Sequence, residues 1–284
     1  MPTQAVPPAT GSDAKPPPTA ALPHSLAKFK QRSHDTHHAV HIPELTLRLA
    51  LDPHPAPPLP TPPLPTDADA DADAPLPNLL NTQPIHAVYL GNSMLERLKT
   101  TGLGTRLGAL SESGVAFNAG VGGDKNESVL YRLAQGLGSV LSAAQARGDG
   151  RCDIKLWVLC SGTNNLHAKR GLREGDVASW KALLDACLEI APRSVVLACD
   201  VFYRKDIADE VTERANEKLK QVVEECEAKA RVVWVEARQK IAKEMLVDHV
   251  HMDEKGYEVW DGVLWPYVEA VLARAETRDE GELQ

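Results

Sequence analysis

The chain has 284 residues, a formal net charge of −8 and 43% hydrophobic residues. That acidic balance excludes a general nucleic-acid binder, whose hold on phosphate backbones comes from clustered Lys and Arg. The five cysteines, Cys152, Cys160, Cys187, Cys199 and Cys226, are odd in number and show no CxxC spacing. They are expected as reduced core residues rather than disulfides or zinc ligands.

Composition divides the chain. Eighteen of the 21 prolines lie in residues 1–80, 18 of the 19 glycines lie after them, and Phe29 is the one aromatic residue of the first stretch. A segment so poor in large apolar groups cannot offset its ordering entropy, so residues 1–80 are expected to be a mostly disordered tail and linker. Within it, PHPAPPLPTPPLPT favours polyproline II, a conformation that SH3-like partners recognise, and DADADADAP stays solvated. His34, His37, His38 and His41 are four histidines in eight residues, but no Cys or carboxylate frame fixes a geometry and no metal site is assigned. ELTLRLAL, Glu44 to Leu51, alternates like a strand and is expected to add to a sheet edge or contact a partner. No apolar run reaches membrane-spanning length and no secretion signal is visible, so no membrane span and a cytoplasmic location are expected.

From Ile85 onward, strands and helices alternate. Strands are predicted over 85–90, 115–118, 154–160, 194–200 and 231–236. Helices are predicted near 94–110, 125–137, 175–190, 207–229 and 254–275. This pattern predicts a doubly wound five-stranded parallel sheet flanked by helices, a flavodoxin-like three-layer sandwich. It occupies residues 81–276, with 277–284 a disordered C-terminus.

Four turns carry the chemistry. Gly91-Asn92-Ser93 breaks the first strand before a helix, at the carboxyl edge where ligand sites form. Ser93 there serves as a nucleophile, or Ser93 or Asn92 simply caps the helix; the tripeptide alone does not decide. NAGVGGDKNESVLYRL, after the second strand, supplies N–H groups for an anion. It fails GxxxxGK[ST] and GxGxxG, which leaves an oxyanion hole as the better use than a nucleotide. SGTNNL, after the third strand, offers the Asn164 amide to the same crevice, or an Asx turn. In DHVHMDEKGYEVW, Asp248 and His251 lie three apart, so one turn brings the carboxylate to one imidazole nitrogen and leaves the other for a serine. His249 and Asp253 are then decoys.

In this order the four blocks resemble the GDSL/SGNH hydrolase superfamily from Gly91 to Tyr257. NAGVGGD…VLYRL, GTNN and DxxH…GY are most similar to intracellular platelet-activating-factor acetylhydrolase catalytic subunits and related microbial acyl esterases. The resemblance implies a serine esterase acting on a small-molecule ester. Ser93 is the implied nucleophile, His251 its base and Asp248 the orienter, with the oxyanion held by the Ser93 and Gly123 N–H groups and the Asn164 side chain. It requires no metal or organic cofactor. Two alternatives stand beside it: a carbohydrate acetyl esterase of the same fold, and a catalytically lapsed binding module. One departure is visible, since the family's first block usually reads Gly-Asp-Ser and Asn92 stands here in place of the Asp.

Overall fold

A computed structural model describes residues 24–51 and 83–281. Five strands form one sheet: β1 (Ile85–Gly91), β2 (Ala116–Gly120), β3 (Cys152–Cys160), β4 (Val195–Cys199) and β5 (Val232–Val235). All neighbours are parallel and the order is β2-β1-β3-β4-β5. The chain leaves β1 toward one edge and returns to build the other, so the winding reverses at β1. A crevice opens at the carboxyl ends of the strands at such a reversal.

The strands are apolar on both faces, as a sheet sandwiched between helices requires. Val88, Leu90, Trp157, Leu159, Val196 and Ala198 face one layer, while Ala87, Tyr89, Leu156, Val158, Leu197 and Cys199 face the other. In chain order the helices are α1 (Gln31–Thr36), α2 (Ile42–Arg48), α3 (Ser93–Glu96), α4 (Arg106–Glu112), α5 (Asn126–Arg132), α6 (Gly138–Arg147), α7 (Glu174–Ile190), α8 (Asp209–Glu224) and α9 (Glu254–Gly281). The first face meets α2 and α5 to α8, and the second meets α3, α4 and α9. The doubly wound three-layer architecture expected from the alternation is the one observed. Four of the five cysteines are buried in it and all five are free. Among the described residues no helix is long and apolar enough to cross a membrane.

Three helical expectations need correction. The helix read over 94–110 is two, because α3 ends in a single tight turn and Thr105 starts α4 by accepting from the Gly108 N–H at 3.1 Å. The helix read over 125–137 continues beyond a kink at Gly136, whose φ of +120° only glycine adopts readily, into α6. At the other end α9 runs to Gly281, through residues expected as a disordered C-terminus.

The largest correction concerns residues 24–51, read as part of a tail. They form α1 and α2, joined by a π-helical turn at His37–His41, and they pack on the domain. ELTLRLAL is therefore helix through Arg48, not strand. Leucines at every second position fit either period, but Leu45 and Leu49, four apart, are both fully buried in the core while Leu47 is exposed. The Arg48 guanidinium, nearly buried, donates to Glu44 one turn back and to the Gln83 and Gly114 carbonyl oxygens. The proline-rich runs, and with them the expectation of an SH3-like partner, lie outside the described residues.

The histidines of this segment are packing groups. His37 Nε2 lies 3.2 Å from the Gln135 carbonyl oxygen, His34 Nδ1 lies 3.0 Å from the Tyr131 hydroxyl, and His41 stands edge-on to Phe117. Burial, opposed in part by the Gln135 contact, pushes the His37 pKa down to about 4. Burial also holds His41 well below its ordinary value, with Lys99, Arg132 and His37 adding like-charge repulsion.

Two outcomes follow from this docking. Leu45→Ala should cost ~2–5 kcal/mol in urea denaturation because it empties a buried site, whereas Leu47→Ala should stay within ~0.5 kcal/mol. Because His37 and His41 fold neutral but charge near 6.5 once unfolded, stability is complete above that pH and declines as pH falls toward 4. Each extra proton bound by the unfolded chain contributes ~1.4 kcal/mol per pH unit. Thermal melts from about pH 7 to about pH 4.5 should show a shallower fall for His37→Gln/His41→Leu than for wild type.

Candidate active site

The end of β1 sets the position of Ser93. Gly91 is the last strand residue, and any Cβ there would collide with the Cys160 carbonyl oxygen of β3, so only glycine lets the two strands run this close. Asn92 is still in extended backbone, and its Oδ1 accepts from the Met94 N–H at 3.1 Å. It is thus the cap of α3, and Ser93 is the first helical residue. Two side chains hold α3 in place: Asn118 Nδ2 donates to the Leu95 carbonyl at 2.7 Å and the Tyr257 hydroxyl donates to the Met94 carbonyl at 2.9 Å. Asn92 is fully buried and its Nδ2 has no protein partner among the described residues.

Asp248 and His251 sit in a short loop before α9, closed by a bridge between Leu246 and Met252 and by the Val247 N–H donating to the His251 carbonyl at 2.8 Å. The loop delivers His251 to Ser93: Nε2 lies 3.0 Å from Ser93 Oγ, and Nδ1 lies 2.6 Å from Asp248 Oδ2. Asp248 Oδ1 accepts from the Val250 and His251 N–H groups, both at 2.7 Å. Partial burial works against the anion, but the His251 backbone and ring and the Val250 N–H outweigh it and hold the Asp248 carboxyl well below the usual carboxylate range. The two decoys stay apart from this relay. Asp253 accepts from the Gly256 N–H in the first turn of α9, and His249 is exposed.

The expected anion-binding turn follows β2. Gly123 has φ +71°, in the left-handed region that favours glycine, and is exposed. Asn164 Nδ2 donates to the Asp124 carbonyl oxygen at 2.9 Å. One of its two N–H groups is thereby committed to the loop that carries Gly123, which joins two of the expected oxyanion donors in one constellation. Asn165 and Asn126 extend it. The Asn126 N–H donates to Asn165 Oδ1 at 3.0 Å, and Asn165 Nδ2 donates to Glu127 at 2.8 Å and Asp176 at 3.0 Å.

Two residues in the quoted blocks have a role that sequence reasoning did not assign. Asp124 and Arg132 are both fully buried; Arg132 Nε donates to Asp124 Oδ2 at 3.0 Å, while its other nitrogens donate to the Ala119 carbonyl at 2.8 Å and the Gly91 carbonyl at 3.1 Å. The only signal for this in the sequence was an Asp and an Arg eight apart, one just before α5 and one at its end.

No curated protein matches the chain. Among solved structures, a GDSL-like lipase from Bacteroides thetaiotaomicron is 17% identical with a TM-score of 0.48, over 66% of this chain and 91% of that one. The lipase/acylhydrolase from Enterococcus faecalis is 16% identical with a TM-score of 0.46, over 66% and 96%. A carbohydrate esterase family 3 protein from Talaromyces cellulolyticus is 14% identical with a TM-score of 0.47, over 67% and 99%. The family description of the GDSL-like lipases and acylhydrolases matches residues 90–259, more than half of the chain and the stretch from the end of β1 to the loop and helix that carry His251 and Tyr257. The chain belongs to the GDSL-like lipase/acylhydrolase family.

Proposed function

We propose that this acylhydrolase is a serine esterase that works through an acyl-enzyme on Ser93. The observation that carries the reading is the continuous relay from Ser93 Oγ to His251 Nε2 at 3.0 Å and from His251 Nδ1 to Asp248 at 2.6 Å. In the first half-reaction, His251 Nε2 takes the Ser93 proton as Oγ attacks the ester carbonyl. Asp248 fixes the tautomer with the proton on Nδ1 and stabilises the imidazolium that forms. The tetrahedral oxyanion rests on the Ser93 and Gly123 N–H groups and the uncommitted N–H of Asn164. His251 then gives its proton to the leaving alcohol. In the second half-reaction it takes a proton from the water that attacks the acyl carbonyl, then returns that proton to Ser93 Oγ as the Oγ–C bond breaks and the acid leaves. These steps need no metal or organic cofactor.

The intact relay speaks against a lapsed binding module, since Ser93, His251 and Asp248 stand within hydrogen-bond reach of one another. Turnover of an acyl series from acetate to octanoate, set beside an acetylated sugar, separates a general acyl esterase from a carbohydrate acetyl esterase. A platelet-activating-factor-type preference predicts that the shortest acyl groups turn over fastest.

A fluorophosphonate probe should label wild type at Ser93. Ser93→Ala and His251→Ala should each lower ester turnover roughly 10⁴-fold, with the double variant little worse, because nucleophile and base act as a unit. Near-normal turnover in either single variant would remove the assignment.

Asn92 supplies a second test. Its cap needs only an acceptor oxygen, which Asp also has, and its Nδ2 gives up no protein hydrogen bond on replacement. Asn92→Asp should therefore keep the fold and change kcat by no more than about tenfold, or ~1.4 kcal/mol of barrier. A wild type inert to esters and probe, with both restored by Asn92→Asp, would instead mark a lapsed hydrolase.

A further inference from the structure

The segment just before and within α1 carries cations at alternate positions, Lys28, Lys30 and Arg32, and lies outside the residues that match the family. Each reaches a different piece of the site. Lys28 Nζ lies 3.3 Å from the Glu127 carboxylate at the start of α5, and its backbone N–H donates to the Glu127 carbonyl at 2.9 Å. Arg32 Nη2 lies 3.3 Å from both carboxylate oxygens of Glu96, the last residue of the helix that begins with Ser93. Lys30, in extended backbone at φ −145°, lies between them. Its Nζ donates to the Gly122 carbonyl oxygen at 2.8 Å and lies 3.4 Å from Asp124 Oδ1. Ser33 Oγ adds a 2.8 Å hydrogen bond to Asp124 Oδ2.

The Gly122 carbonyl is one half of a rigid unit. A trans peptide is planar, so the Gly122 C=O and the Gly123 N–H point in opposite directions in one plane. Fixing the oxygen fixes the N–H. Gly122 and Gly123 have no side chains to hold this plane, and the ammonium of Lys30 holds it from outside. A charge-assisted hydrogen bond to the carbonyl also polarises the amide and makes its N–H a stronger donor.

We infer that Lys30 is a positioning residue for the oxyanion site: by gripping the Gly122 carbonyl it aims and polarises the Gly123 N–H. The inference rests on the serine-esterase reading. It makes Lys30 an in-chain support of the oxyanion site, supplied from outside the family-matched residues.

The test uses the full chain and counts active sites by the end point of fluorophosphonate labelling, so that a loss of folded protein is not mistaken for a loss of rate. Lys30→Met should lower kcat per titrated site about tenfold with KM within about twofold, because the donor is used mainly as charge develops on the oxyanion. The rate of labelling should fall in parallel. Lys30→Arg, which keeps a charged donor, should recover to within about threefold of wild type. The exposed Gln31→Ala next to it should change neither. If Lys30→Met lowers the melting temperature but leaves kcat per titrated site within about twofold of wild type, Lys30 is only a structural tether and the inference fails while the esterase reading stands. If Lys30→Arg is as slow as Lys30→Met, the grip on the carbonyl is not the cause and the inference also fails. A wild type that neither turns over esters nor labels removes the esterase reading and the inference with it.

Discussion

The buried pair of Asp124 and Arg132 is the interaction on which the site's geometry depends. At the end of β1 the Gly91 carbonyl accepts from the Val121 N–H at 3.3 Å and has a second lone pair to offer. Arg132 donates to it and to the Ala119 carbonyl of β2, and with its remaining edge it holds Asp124 in the loop beyond β2. A guanidinium suits this because its donors form a rigid planar fork. One side chain thus sets the spacing between the strand that delivers Ser93 and the loop that delivers Gly123. Both charges are fully buried, and leaving one unpaired would cost about 3–5 kcal/mol. The cost of that burial is the reason the arrangement has one geometry and not several.

The relay is assembled differently. Ser93 comes from the first strand of the sheet and His251 from a loop 158 residues later, and their side chains meet at 3.0 Å. What keeps the two ends in register is packing, because α9, which follows the His251 loop, puts Tyr257 and Trp260 into the same apolar layer as Met94 and Leu95 of α3. The Tyr257 hydroxyl completes the link with a hydrogen bond to the Met94 carbonyl. The hydrophobic layer brings the two segments to within a side chain's length, and directed polar contacts fix the remaining ångströms.

How much of this was legible in the sequence depended on the range of the interaction. The strands were, because runs such as KLWVLC and VVLAC are apolar on both faces and bounded by turn residues. The relay was, because Asp248 and His251 are local to one turn and Ser93 follows its strand directly. The segment 24–51 was not. Leu45, Leu47, Leu49 and Leu51 satisfy a strand period as well as a helical one, and only the tertiary fact that Leu45 and Leu49 meet the core selects the helix. Its histidines looked like a polar cluster, yet two of them are buried against Gln135 and Phe117. Arg132 and Lys30 were equally silent, since a buried arginine and a surface lysine carry the same letter-level signal until their partners, up to 94 residues away for Lys30, are known.

Asp124 and Asp248 show how the same residue type is put to two uses by its partners. Asp124 faces Arg132, Lys30 and Ser33 and is fully buried. Its charge is spent on cations that never move, so it can organise backbone but has nothing left to answer a charge that appears during a reaction. Asp248 is only partly buried, and its fixed contacts are two backbone N–H groups, neutral dipoles that hold the carboxylate ionised without cancelling its charge. Among the described residues its one ion-pair partner is His251. In the mechanism we propose, that full negative charge is available when the imidazole becomes an imidazolium, and the attraction is stronger in the transition state than before it. The carboxylate proposed to orient His251 is the one whose charge the fold holds in place and leaves unneutralised.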